Sequence, residues 1–259
     1  MRVSRAWLVV AAACSGGDRA SSPPITGSAP APVADPWAEG AASIPDPPKL
    51  ELVHPGDEPR RIARYTPIAV TRTIRIATSH VGGTLEAELQ VAWSCAPPAP
   101  CTYQLAKFHI AGDPDPTTFA KIAESIRGTV EIAADGTATI RPATLMKTMP
   151  STTELMRLAI ARFPAEPIGV GARWRLVEHD LQRTYTAVAL TDRGATLDVE
   201  LIYAPSKDST SDGKLRLDID LGDPFAKVTG TQHTVITFDA KVRMDPIEQT
   251  MAIAIETLR

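Results

Sequence analysis

The stretch TLEAELQVAW, residues 84–93, places Leu85, Ala87, Leu89, Val91 and Trp93 in one set and Glu86, Glu88 and Gln90 in the other. Successive side chains of a strand point to opposite faces, so this alternation describes a strand with one buried and one wet face. The pattern returns in TLDVELIY, where Leu197, Val199, Leu201 and Tyr203 oppose Asp198 and Glu200, and in KLRLDIDL, with Leu215, Leu217, Ile219 and Leu221. Further strands are predicted over 72–79, 103–110, 174–180, 184–191, 228–238 and 251–256. TVEIAADGTATI reads as a hairpin turning at Asp135-Gly136. That makes about ten strands, joined by links too short for crossover helices, so the sheet is expected to be antiparallel.

Two segments break the alternation and carry helix signals. Asp115 followed by Pro116 is a cap with proline at the first helical position, and Phe119, Ile122, Ala123 and Ile126 form one stripe ending near Gly128. Ser151 with Glu154 forms a capping box before Leu155, Met156, Leu158, Ala159 and Phe163, and Pro164 stops the run. Two one-sided helices and a one-sided sheet each need a partner for their apolar face. The expected fold class is therefore α+β: a large curved antiparallel sheet, a half-barrel, with two helices against its concave face.

The first fifty residues follow other rules. Arg2 and Arg5 precede eight apolar residues, 6–13, far fewer than the roughly 20 that span a bilayer as a helix. A positive start, a short apolar run and small residues before a cut site describe a secretory signal. Ala11-Ala12-Ala13-Cys14 resembles the lipobox of bacterial lipoproteins, which implies acylation of Cys14; an ordinary secretory signal with a nearby buried cysteine is the alternative reading. Residues 15–48 contain eight prolines among Ser, Gly and Ala. Such a segment cannot bury enough surface to offset its ordering entropy and reads as a tether. The expected organisation is a signal peptide over 1–13, a tether over 14–48 and one α+β domain over 49–259. By the lipoprotein resemblance, Ser15 after the cysteine implies export to the outer membrane, facing the periplasm or the cell surface.

The remaining cysteines stand in SCAPPAPC. Flanking strands over 85–93 and 103–110 would bring Cys95 and Cys101 together across the mouth of a hairpin, and export would let a bridge persist. A metal site is the competitor, but neither a further Cys nor a His stands at ligand spacing beside the pair.

Chemistry is hard to find. The chain lacks a nucleophile elbow, a phosphate loop, a dinucleotide fingerprint and a paired-histidine metal motif. His54, His80, His109, His179 and His233 are scattered singly. In a strand, His179 of the EHD triplet points away from Glu178 and Asp180. Asp218 and Asp220 share a face with Arg216 and read as solvated surface. With 27 basic and 30 acidic residues spread along the chain there is no basic face for nucleic acid. The expectation is a protein without catalysis, cofactor or metal.

PIGVGARWRL, residues 167–176, places glycines where close backbone approach is possible and then starts a strand with Trp174. Together with LELVHPGDEPRRIARYTP (50–67) and RGTVEIAADGTATI (127–140), it resembles an uncharacterised family of bacterial envelope lipoproteins, a domain of unknown function. The fold that this implies is in turn similar to LolA-like half-barrel carriers. Two functions lead on this reading, ahead of a hydrolase whose catalytic groups would have to converge from distant parts of the chain. In one, the concave face holds a lipid or other apolar ligand against Met146, Met149, Leu155, Met156, Phe163 and Trp174. In the other, those residues fill the core and the protein meets an envelope partner through its sheet surface or an edge strand. The expected partners are the membrane, through the lipid on Cys14, and either an apolar ligand or an envelope protein.

Overall fold

The computed structural model describes residues 48–81, 85–110, 127–142, 157–178, 180–206, 209–237 and 246–258. They form a sheet of twelve strands: β1 (Lys49–His54), β2 (Val70–His80), β3 (Leu85–Ala96), β4 (Ala99–Ile110), β5 (Arg127–Ile132), β6 (Ala138–Pro142), β7 (Arg173–Glu178), β8 (Leu181–Leu190), β9 (Gly194–Ser206), β10 (Ser209–Asp220), β11 (Asp223–Ile236) and β12 (Ile247–Leu258). Their order is β1-β7-β8-β9-β10-β11-β12-β2-β3-β4-β5-β6. Every neighbouring pair is antiparallel. Two meanders, β2 to β6 and β7 to β12, are thus joined by the β12–β2 pairing, and β1 closes the far side of β7.

The alternation works as the residues require. On the inner face Leu52, Trp174, Tyr185, Val199 and Leu215 lie in one cross-strand row. Ala87, Leu89, Val91 and Trp93 are all buried on the same face. The outer face carries charged ladders instead: Arg216 meets Asp198 at 3.8 Å and Arg75 lies between Glu88 and Glu256 at 3.1 and 2.9 Å. Sheet curvature follows from one ring contact. Trp93 on β3 and Phe225 on β11 are three strand spacings apart, about 14 Å in a flat sheet, yet their ring centroids are 4.6 Å apart.

The α+β expectation is corrected: the described fold is antiparallel β throughout, and helical geometry is confined to Arg157 and Leu158. The helix predicted over 115–128 lies outside the described residues except for its last two, Arg127 and Gly128, which open β5. The one predicted over 151–163 fails over its described part because its backbone finds other partners. The Ala226 amide donates to the Ala159 carbonyl at 2.9 Å, the Phe163 amide to the Asp135 carbonyl at 2.8 Å, and the Ala161 amide to the Tyr65 hydroxyl at 3.2 Å. Ala159, Ile160, Ala161 and Phe163 are all buried, so there is no wet side for a helical stripe to leave exposed.

Two irregular segments, 55–69 and 159–172, contribute Ala63, Tyr65, Ala159, Phe163 and Ile168 to the core beside the sheet. They are stitched to each other by paired bonds between Arg61 and Ile168, both 2.8 Å. The first is also tied to the sheet through Tyr65 to Ala134, Thr66 to Leu221 and Ile68 to Gly222. Gly169 makes this close approach possible: a Cβ there would fall 1.7 Å from the Asp57 carbonyl oxygen.

Cys95 and Cys101 form a disulfide across the mouth of the β3–β4 hairpin, with Cα atoms 4.2 Å apart. Ala96 pairs with Ala99, so Pro97 and Pro98 make the turn.

Candidate functional site

The two edges of the sheet are β1 and β6. Curvature brings the β1 edge towards the β5–β6 turn, because Leu50 and Leu52 of β1 line the same cavity as Asp135 of that turn. The rest of the wall comes from the irregular segments: Arg64, Phe163, Pro164, Ala165 and Glu166. This seam holds about 260 Å3, just below the roughly 300–1,000 Å3 of sites for drug-sized ligands.

Each wall residue is held in place by its own contacts. Leu50 pairs with Leu176 and Leu52 with Trp174, which turns both leucines inward beside the core. The Arg64 guanidinium donates to the carbonyls of Ala63, Pro164 and Ala165 at 2.9, 2.9 and 3.2 Å, so its fork is committed to backbone. Asp135 accepts from the Thr137 amide and hydroxyl, both 2.9 Å, and lies 3.6 Å from Arg162. Burial raises the pKa of the Asp135 carboxyl, but these donors outweigh it and hold it below the ordinary range. Glu166 is exposed and makes no ion pair among the described residues. At the exposed rim of the seam the carboxylate without an ion partner is therefore Glu166, while the Arg64 guanidinium is turned into the wall.

Below the seam an aromatic series runs into the core. Tyr65 lies 5.7 Å from Phe163, Phe163 5.9 Å from Trp174, and Trp174 stacks on Tyr185 at 5.3 Å. The Trp174 indole donates to the Arg162 carbonyl at 2.7 Å. Burial pushes the hydroxyls of Tyr65 and Tyr185 well above their usual pKa, so both stay protonated. Beside Tyr185, Arg183 is 4% exposed and reaches Glu178 at 2.5 Å and the Arg157 carbonyl at 3.0 Å.

Of the residues proposed for an apolar ligand, Phe163 and Trp174 are 1% and 0% exposed. Phe163 lines the cavity and Trp174 belongs to the packed core. Met146, Met149, Leu155 and Met156 lie outside the described residues, as does Cys14. The histidines do not converge. His54 accepts from the Gly56 amide at 3.1 Å, His233 lies 3.4 Å from Asp212, His80 and His109 are exposed, and His179 is outside the described residues. Asp218 accepts from the Thr196 hydroxyl and Asp220 from the Gly222 amide, which ties both to the local sheet surface. Among the described residues no group of three His, Cys, Asp or Glu side chains is placed to hold a metal ion.

Sequence reading missed the seam itself. Leu50 and Leu52 show only two alternating apolar residues between Pro48 and Pro55, and Arg64, Ala165 and Glu166 lie on irregular chain with no period to detect.

No family model matches this chain, and the comparison with curated proteins and with solved structures finds no significant match either. The functional reading therefore rests on the chain's own geometry.

Proposed function

We propose that this chain is an exported protein, anchored through a lipid on Cys14 and carried on the proline-rich tether of residues 14–48, whose β unit is a non-catalytic binding module that meets an envelope protein at the β1 seam. The observation that carries the choice of surface is the filling of the concave face. Trp93, Phe163, Trp174 and Tyr185 are each no more than 1% exposed, and two irregular segments pack over them. A face filled by its own side chains favours contact at the seam over storage of an acyl chain inside.

Native mass spectrometry of the full chain, kept unacylated by Cys14→Ser and folded in an oxidising compartment, tests this reading before and after organic extraction. The expected result is the bare chain mass both times. A discrete extra mass that extraction removes would overturn the seam reading in favour of an apolar-ligand carrier.

A further inference from the structure

The seam reading leaves open what kind of partner fits, and the geometry of β1 narrows it. We infer that β1 accepts an extended peptide segment as a thirteenth, added strand, with one aliphatic side chain entering the seam and a neighbouring basic residue paired with Glu166. This inference rests on the binding reading above.

Three observations converge on it. First, β1 pairs only with β7. In an antiparallel strand alternate residues direct their N–H and C=O groups to opposite sides, so half of the six-residue strand aims its backbone groups away from β7. Among the described residues none of these groups has a backbone partner outside that pairing. Secondly, the cavity lies on the inner side of this same edge. Leu50 and Leu52 line it, so a strand laid beside β1 places its own inward side chains next to a space of about 260 Å3 also lined by Phe163, Pro164 and Ala165. Strand addition draws affinity from main-chain bonds and selectivity from a pocket that takes alternate side chains, and both parts are present here. Thirdly, the exposed rim offers a carboxylate to a neighbouring cation. Arg64 keeps its charge but is turned into the wall by bonds to three carbonyls, and Asp135 is balanced by Arg162. Glu166, exposed at the rim, is left to attract a cation.

The test uses the full chain with Cys14→Ser and a fluorescein-labelled peptide, Thr-Leu-Thr-Lys-Thr-Leu-Thr-Lys, followed by fluorescence anisotropy. Two derivatives carry N-methyl groups on alternate residues, one on the odd and one on the even positions. Saturable binding is expected, with one methylated set weakened by at least about 30-fold and the other by less than about 3-fold, since only one set faces β1. Ala165→Trp, a substitution at an exposed position, should close the seam and abolish binding. Glu166→Lys should weaken the peptide by about 5-fold and favour a version with Glu in place of Lys.

Absence of binding, equal sensitivity to both methylation patterns, or indifference to Ala165→Trp would each overturn strand addition. If such a failure comes with a bare chain in the mass spectrum, strand addition falls and the seam reading stands. If a removable apolar mass is present, the reading beneath it has fallen as well.

Discussion

Trp93 on β3 packs edge-to-face against Phe225 on β11 with ring centroids 4.6 Å apart, although two strands, β12 and β2, lie between their own. The contact is a clasp across the coil of the sheet. Nearby, Arg72 and Asp223 form an ion pair between the same regions of β2 and β11. A sheet with two free edges has no closing ladder to hold its curvature, so cross-sheet contacts of this kind must do so.

Phe225→Ala should therefore cost about 3–5 kcal/mol, the range for removing a buried aromatic side chain. Urea unfolding followed by far-ultraviolet circular dichroism measures it. Val177→Ala, at an exposed position on β7, is the control and should lie within about 0.5 kcal/mol of the parent. Equal effects of the two substitutions would show that the clasp contributes nothing particular.

The Cys95–Cys101 bridge closes a short loop, with a sequence separation of six. Loop-closure entropy for so small a ring gives about 2 kcal/mol. Replacing both cysteines by serine should lower the guanidinium midpoint accordingly, and a reducing agent should shift the parent to the same midpoint while leaving the serine variant unchanged.

Asp135 links stability to pH. Burial raises its carboxyl, but the two Thr137 bonds and Arg162 hold it below the ordinary carboxylate range. A carboxyl with a folded value below its unfolded value of about 3.9 contributes stability above that pH and loses it as pH falls through the folded value. Asp135→Asn should lower the urea midpoint at pH 7 and narrow the gap from the parent as pH approaches 3. The group is about one-third exposed, so solvent screening keeps the effect modest. A constant gap from pH 7 to pH 3 would count against the assignment.

The turn beside it makes a separate prediction. Gly136 has φ +86°, and a Cβ there would lie 2.0 Å from the Ala161 carbonyl oxygen. Gly136→Ala should destabilise by more than about 1 kcal/mol, because strain and collision act together. Differential scanning calorimetry detects this as a lowered Tm, and an unchanged Tm would show that the irregular segment yields freely.

What was legible in the chain divides along a physical line. Long strands with strict alternation, such as the one ending in Trp93 or the one holding Leu215, Leu217 and Ile219, report their faces directly, because period two is a property of the strand itself. The Asp135-Gly136 turn and the Cys95–Cys101 bridge are similarly local. The error was over 157–163, where Leu158, Ala159 and Phe163 have helical spacing. That spacing shows that the residues are apolar, not which backbone partners they will find, and Asp135, Tyr65 and Ala226 supply partners from distant parts of the chain. The seam was illegible for a related reason. It forms only where the β1 edge comes near the β5–β6 turn, and no local pattern announces that Leu52 and Asp135 will line one cavity.

The pair formed by Arg183 and Glu178 gives the most discriminating prediction. Arg183 points inward from β8 among Leu176 and Leu201, its register neighbours, and its side chain is 5% exposed. Glu178 meets it at 2.5 Å, yet the Arg183 Nε has no hydrogen-bond partner. A buried pair with an unsatisfied donor has lost hydration that its mutual attraction only partly restores. Removing one partner should be far worse than removing both. Glu178→Gln leaves a buried guanidinium without its counterion and should cost about 3 kcal/mol. Arg183→Met combined with Glu178→Leu replaces both charges with apolar groups and should stay within about 1 kcal/mol of the parent. A double-mutant cycle in urea, closed with Arg183→Met and Glu178→Leu as the singles, reads the coupling directly. If the double variant is as unstable as the sum of the singles, the coupling energy is zero and each side chain contributes through contacts other than the other's charge. If it recovers most of the loss, the ion pair is tolerated for another reason. Its closeness to Tyr185 and to the Arg157 carbonyl would then make positioning of the irregular segment the role to examine.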